Sequence, residues 1–302
     1  MSHIKTTNLS HIKTVIFDCD GVLWLENSLI KGALDLYKHL MTSNIRVFFV
    51  TNNSTKTTDE YLQKFANKNF DPPVEKSQIF GAAKMSAHYL KSKNVEKCYV
   101  LGAKAIDFEL GLVGISSTRH EEDLKLINND MEKFKNDLKL DQKVQAVVMG
   151  MDYGINYMKL ALAATYIINQ KCLFVATNPD ASLPNESDKV LPGGGLILGG
   201  LEKVVQKPAD AIAGKPSNFT TKHLIPDFDP KTTMMVGDRI ETDVMFGVNS
   251  LCKTCVLVLS GASGIEKVEE LKSLNNESGD SDCFYSESVA EILSSFKSGQ
   301  SC

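Results

Sequence analysis

Seven short apolar runs recur along the chain: Thr14–Phe17, Ile45–Val50, Cys98–Leu101, Val144–Met149, Cys172–Ala176, Thr233–Val236 and Thr254–Leu259. Each is continuous rather than alternating, the pattern of a strand covered on both faces. Helix-like segments separate them, as the amphipathic stretch Gly32–Met41 does before Ile45–Val50. Strands alternating with helices predict βαβ units and a parallel sheet, so the expected fold class is α/β with a Rossmann-like core. Two polar stretches read as punctuation: Glu121–Lys143 as a surface helix with its turns, and Glu270–Asp282 as a surface loop.

The ends of these runs carry the chemistry. Thr14–Phe17 runs into Asp18-Cys19-Asp20-Gly21, and Thr233–Val236 runs into Gly237-Asp238-Arg239-Ile240-Glu241-Thr242-Asp243. In open α/β sheets ligands bind beyond the carboxyl ends of the strands. Carboxylates gathered there repel one another unless a cation neutralises them, and Mg²⁺ favours carboxylate and carbonyl oxygens together with phosphate. For one Asp, a helix cap or turn would explain the residue as well. Two strand-end clusters of the same form favour a shared cation.

Two further ends have the opposite polarity. Thr51-Asn52-Asn53-Ser54 supplies a hydroxyl and backbone N–H groups that suit phosphate oxygens. Gly214-Lys215-Pro216 follows the short run Ala-Ile-Ala and supplies a compact positive charge. An echo links VFFVTNNS at 47–54 with LFVATNPD at 173–180; it fits two strand ends aimed at one cleft, or coincidence.

The bulk properties exclude some classes. A net charge of −4 and a pI of about 5.9 argue against nucleic-acid binding, which needs a basic surface. No stretch approaches a membrane span, and residues 1–13 lack the apolar segment of a secretory signal, so a cytoplasmic protein is expected. The seven cysteines are scattered, as reduced, mostly buried thiols would be; Cys252 and Cys255 form a formal CxxC at a strand entry and are not read as a redox pair. No GxGxxG follows the first strand, which sets aside a nicotinamide-binding enzyme. The glycine run at 192–195 lacks the Gly-Lys-Ser/Thr of a Walker loop and reads as a turn near a hinge or interface.

The four motifs in order, DCDGV at 18–22, TNN at 51–53, GKP at 214–216 and GDRIETD at 237–243, resemble the haloacid dehalogenase superfamily of phosphatases. Within it, FDCDGVLW at 17–24, VTNNSTKT at 50–57, GMDYGINYMKLALAATYI at 150–167 and TNPD at 177–180 are similar to the eukaryotic phosphoglycolate, pyridoxal-phosphate and 4-nitrophenyl phosphatase group. The resemblance implies a catalytic core at 1–93 and 210–302 and an inserted C2-type α/β cap at 94–209. It implies Mg²⁺-dependent hydrolysis of a small phosphate monoester through an aspartyl-phosphate on Asp18. Asp20 would protonate the leaving oxygen and then activate water. Mg²⁺ would be held by the Asp18 carboxylate, the Asp20 backbone carbonyl and the Asp238 carboxylate. Thr51, Asn52 and Asn53 would hold the phosphoryl group, Lys215 would neutralise it, and Asp243 would orient Lys215 or a metal-bound water.

The loop Asn178–Pro184 carries the substrate expectation. Pyridoxal-phosphate enzymes of this group tend to place Trp-His before the matching proline, whereas Ser182-Leu183 stand here, more similar to the phosphoglycolate enzymes. The substrate expected is therefore a small phosphorylated acid such as 2-phosphoglycolate, with Leu183 at the substrate. A pyridoxal-phosphate, sugar, nucleotide or phosphoprotein phosphatase on the same scaffold, and a non-catalytic binding protein, are the competing readings. Arg119 and His120 are candidates for the substrate carboxylate, with a solvent-exposed state as the plainer expectation. Trp24 and the stripe Tyr157, Leu160, Ala164, Ile167 and Ile168 read as core or as a cap–cap interface, and the resemblance implies a homodimer through the cap.

Overall fold

The computed structural model describes residues 3, 4, 7–184, 187, 189–277 and 279–298. Along the chain the first strands are β1 (Thr14–Phe17), β2 (Trp24–Leu25), β3 (Ser28–Leu29), β4 (Arg46–Thr51) and β5 (Ile79–Gly81). Then follow β6 (Lys97–Leu101), β7 (Ser116–Thr118), β8 (Ala146–Met149), β9 (Leu173–Ala176) and β10 (Ala211–Ile212). The last are β11 (Thr233–Gly237), β12 (Thr254–Val258) and β13 (Asp282–Ser286). They build two parallel sheets, ordered β13-β12-β11-β1-β4-β5 and β10-β9-β8-β6-β7, while β2 and β3 form a small antiparallel hairpin.

The central strands are apolar because each sheet has a core on both faces. Val15 and Phe17 of β1 join one cluster with Phe49 and Met234, while Ile16 joins another with Val50, Met235 and Cys255. The helix Ala33–Thr42 crosses between β1 and β4 and buries Ala33, Leu36, Tyr37 and Leu40, the spacing of one helical face. In the second sheet Tyr99 and Leu101 face one cluster and Cys98 and Val100 the other. That last cluster includes Ala83, Ala87 and Leu90 of the helix Ala82–Ser92. The two sheets are therefore joined by apolar packing, and the buried Glu109 of the second unit accepts the Thr58 backbone N–H of the first at 2.6 Å.

The register sets up the site. Phe17 pairs with Val236 of β11 on one side and Phe49 of β4 on the other. The strand order reverses at β1, the switch point at which α/β sheets open a crevice. Asp18, Thr51 and Asp238 follow those paired residues and so emerge at one edge.

Several local expectations differ from the structure. The segment expected as the loop Glu270–Asp282 holds the helix Val268–Glu277 and the start of β13. Val268, Leu271 and Leu274 anchor it on one face, a pattern diluted by short polar residues between them. The Glu121–Lys143 stretch holds two short helices, Glu121–Ile127 and Met131–Asp137, the second capped by the Asp130 side chain. The second sheet extends to β10 at Ala211–Ile212, past residue 209. The glycine run is a helix start rather than a turn: Gly193 caps the helix Gly194–Val205. The interface stripe divides, with Ala164 and Ile167 buried and Tyr157 and Ile168 exposed at 67% and 43%. Cys252 and Cys255 are both buried, and burial pushes the Cys252 thiol up to about 12, a state unsuited to redox exchange.

Candidate active site

Lys215 is the centre of the arrangement. It follows β10, is 1% exposed, and its ammonium lies 2.5 Å from Asp18 Oδ1 and 2.6 Å from Asp243 Oδ1. Burial alone would discharge it; the two carboxylates reverse that and hold it well above the ordinary lysine range. One cation faces several carboxylates here. Oxygens of Asp18, Asp238 and Asp243 lie within 4.8 Å of one another, and all three residues are buried. Burial, opposed by Lys215 and aided by Asp243 and Asp238, raises the Asp18 carboxyl well above its usual range. Burial, then Asp243, lifts Asp238 to about 7, against the Ala262 N–H that donates to its Oδ2 at 2.7 Å.

This excess of buried acid is the observation that fits a divalent cation: one ammonium cannot neutralise three carboxylates. Asp243 is already engaged. Its Oδ1 meets Lys215, and its Oδ2 accepts the backbone N–H groups of Asp238 and Arg239, each at 3.0 Å. Gly21 closes the other side. Its φ is +89°, and a Cβ there would lie 2.2 Å from Asp238 Oδ2, so only glycine lets the first loop approach the second.

The remaining sequence candidates converge on the same cleft, of about 210 Å³, which Asp18, Asp20, Thr51, Asn52, Asn53, Leu183, Lys215, Asp238 and Asp243 all line. The Thr51 hydroxyl accepts the Asn53 N–H at 3.2 Å. The Asn52 side chain is fully committed. Its Nδ2 donates to Asp180 Oδ1 and the Lys215 carbonyl, and its Oδ1 accepts the Lys215 N–H. Any phosphate contact from Asn52 must therefore come from its backbone. Asn53 Oδ1 is likewise turned to Thr55, accepting from its N–H and its hydroxyl. The helix Thr58–Asn67 fixes this loop through a capping box between Thr57 and Glu60.

Some roles escaped sequence reasoning. Trp24, expected as core, is buried but also donates its indole N–H to Asp20 Oδ1 at 2.7 Å, with the Lys64 ammonium 3.3 Å from the same oxygen. The four-residue spacing from Asp20 was the visible signal. Arg239 lines the cleft and donates from Nη2 to the Ser182 carbonyl at 3.0 Å. Gly193 and Gly195 lie against Asp180, where added Cβ atoms would collide with its backbone, so the glycine run lets the helix pack on the Asn178–Pro184 loop. Arg119 and His120 do not reach the cleft, and neither is free in solvent. Arg119 pairs with Asp107 at 2.5 Å, and His120 bonds Asp123 and the Tyr166 hydroxyl.

The chain is similar to known proteins along most of its length. Residues 15–116 match the haloacid dehalogenase-like hydrolase family, and residues 212–280 match a second HAD-hydrolase-like family. The chain is 36% identical to the glycerol-3-phosphate phosphatase of Mus musculus over 94% of this chain and 91% of that protein. It is 36% identical to the chloroplastic phosphoglycolate phosphatase 1A of Arabidopsis thaliana over 95% of this chain and 78% of that one. The 4-nitrophenylphosphatase of Thermotoga maritima superimposes with a TM-score of 0.77 at 25% identity, covering 98% of this chain and all of the other.

Proposed function

This chain belongs to the haloacid dehalogenase-like hydrolases and hydrolyses phosphate monoesters, and we propose that its substrate is a small phosphorylated acid of the 2-phosphoglycolate type. The observation that carries the chemistry is the buried Asp18–Lys215–Asp243 chain beside Asp238.

In this reading Asp18 is the nucleophile. Lys215 holds one of its oxygens, which leaves the other to attack phosphorus and form the acyl phosphate. The ester oxygen departs with a proton from Asp20, whose carboxyl Trp24 and Lys64 hold in place. The same carboxylate then takes a proton from the water that cleaves the acyl phosphate. Thr51, the Asn52 backbone and Lys215 carry the transferring phosphoryl group. The carboxylates of Asp18 and Asp238 and the Asp20 backbone carbonyl would hold Mg²⁺, which would supply positive charge to the nucleophile and the phosphate. Asp243 positions Lys215 and takes no direct part. The division into a core and a cap is part of this reading, with the cap running from about residue 94 past the expected 209 to β10 and covering the leaving group.

The substrate choice rests on the selectivity loop. Ser182, Leu183 and Pro184 line the cleft, and no aromatic or imidazole side chain of that loop is available to stack on a pyridine ring. The names of the mammalian relatives favour glycerol 3-phosphate as a second reading. Steady-state kinetics with Mg²⁺ over 2-phosphoglycolate, glycerol 3-phosphate, pyridoxal 5′-phosphate and 4-nitrophenyl phosphate separate the two. The highest kcat/KM is expected for 2-phosphoglycolate; a higher value for either biological competitor refutes the assignment.

A homodimer through the cap belongs to the same proposal. Leu196 and Val204 of the helix Gly194–Val205 are 63% and 59% exposed, and Tyr157 and Ile168 are exposed on the helix Tyr157–Asn169 that packs against it. No helix among the described residues is long and apolar enough to cross a membrane. The free, buried cysteines suit a reducing compartment, and we place the enzyme in the cytoplasm.

A further inference from the structure

Two cations line the cleft, Lys215 and Arg239, against six acidic residues. Lys215 is held at the reacting end by Asp18 and Asp243, away from the leaving group. Arg239 differs. It is half-buried, and among the described residues it has no ion-pair partner; its one side-chain hydrogen bond goes to the Ser182 carbonyl. A guanidinium carries five N–H donors in a rigid fork, so a single carbonyl leaves most of them unused. None of its nitrogens is sealed from solvent without a partner, so the unused donors stay accessible.

Its charge acts on Asp238, Asp180 and Glu241 from a distance without pairing directly with any of them, and its position gives it a further purpose. Arg239 follows Asp238 directly at the reacting end, and its guanidinium touches the loop that walls the cleft on the cap side. The leaving group must lie between those two points. The other charges it meets there, Asp20, Glu26 and Asp180, are acidic and would repel a carboxylate. Without Arg239 the cleft would select against an ester that carries a second anionic group.

We propose that Arg239 is the specificity residue that reads a carboxylate on the leaving group. One edge of the guanidinium stays on the Ser182 carbonyl, and the remaining N–H groups donate to the substrate carboxylate in the planar arrangement that such pairs favour. This deepens the reading of the substrate as a small phosphorylated acid and rests on it.

The test compares the full-length wild type with Arg239→Gln and Arg239→Lys on a pair of esters, 2-phosphoglycolate with its carboxylate and glycerol 3-phosphate without one. Arg239→Gln is expected to lower kcat/KM for 2-phosphoglycolate about tenfold or more beyond any loss on glycerol 3-phosphate. That difference should appear in KM, since a remote charge binds ground and transition states alike. Inhibition by the product glycolate should weaken in parallel. Arg239→Lys should recover part of the ratio as a point charge without the fork. Equal losses on both esters with glycolate inhibition unmoved would overturn the proposal, because Arg239 would then serve only the loop. A wild type that prefers glycerol 3-phosphate refutes the substrate reading alone, and the ratio between esters still decides the role of Arg239. A wild type that neither hydrolyses 2-phosphoglycolate nor is inhibited by glycolate refutes both.

Discussion

Asn178 donates its side-chain amide to the Asn52 carbonyl at 2.7 Å, joining two residues 126 positions apart. Each follows a Thr at the end of an apolar strand, so the echo between 47–54 and 173–180 is two strand ends meeting at one cleft. Asn52 in turn donates to Asp180 at 3.0 Å, which ties the Asn178–Pro184 loop to the loop that follows β4. Asn178→Ala would leave the Asn52 carbonyl without this donor in a buried setting. The expected cost is about 1–3 kcal/mol in thermal unfolding together with a raised KM. An unchanged KM would show that the tie does not position substrate.

The central ion pairs make two substitutions informative together. Asp18→Asn removes the nucleophile while Lys215 keeps its contact with Asp243. Turnover of 4-nitrophenyl phosphate should fall by roughly four orders of magnitude or more with the fold intact. Substantial residual activity would remove Asp18 from its role. Lys215→Met leaves the buried Asp18 and Asp243 carboxylates facing each other without a cation. Breaking such an arrangement costs about 3–5 kcal/mol, so this variant should lose stability as well as activity in chemical denaturation.

Metal binding should compete with protons at Asp238. Its carboxyl titrates at about 7 in the folded chain against a reference value of 3.8. Between those values the folded state holds more protons than the unfolded state, so in EDTA this group's contribution to stability falls as pH rises. Mg²⁺ requires the ionised form, so the rise in Tm that it produces should grow as pH increases through that range. Thermal unfolding with Mg²⁺ and with EDTA, from about pH 5.5 to about pH 8.5, measures this. A Mg²⁺ increment independent of pH, or one kept in Asp238→Asn, would contradict the assignment of Asp238 as a ligand.

The cap surface gives an independent prediction. Leu196→Glu combined with Val204→Glu places charge on an exposed helical face away from the cleft. Light scattering should report a monomer for this variant and a dimer for the wild type. A dimer that survives the double substitution would locate the contact elsewhere.

The residues proposed to carry the reaction were legible because each sits where an apolar run stops. Asp18, Thr51 and Asp238 all mark the end of a strand, a local property of a few consecutive residues. The motif order then led to Lys215 and Asp243. What tertiary structure alone decided lies between segments far apart in the chain. The spent side chain of Asn52, the hold of Arg239 on Ser182 and the tie from Glu109 to Thr58 span 51 residues or more. The strands β5, β7 and β10 are too short to show a period, and β13 was concealed by polar residues around it. A strand end is written in the run that forms it, but a hydrogen bond across a cleft depends on how two separate sheets rest against each other. No local pattern of residues encodes that distance.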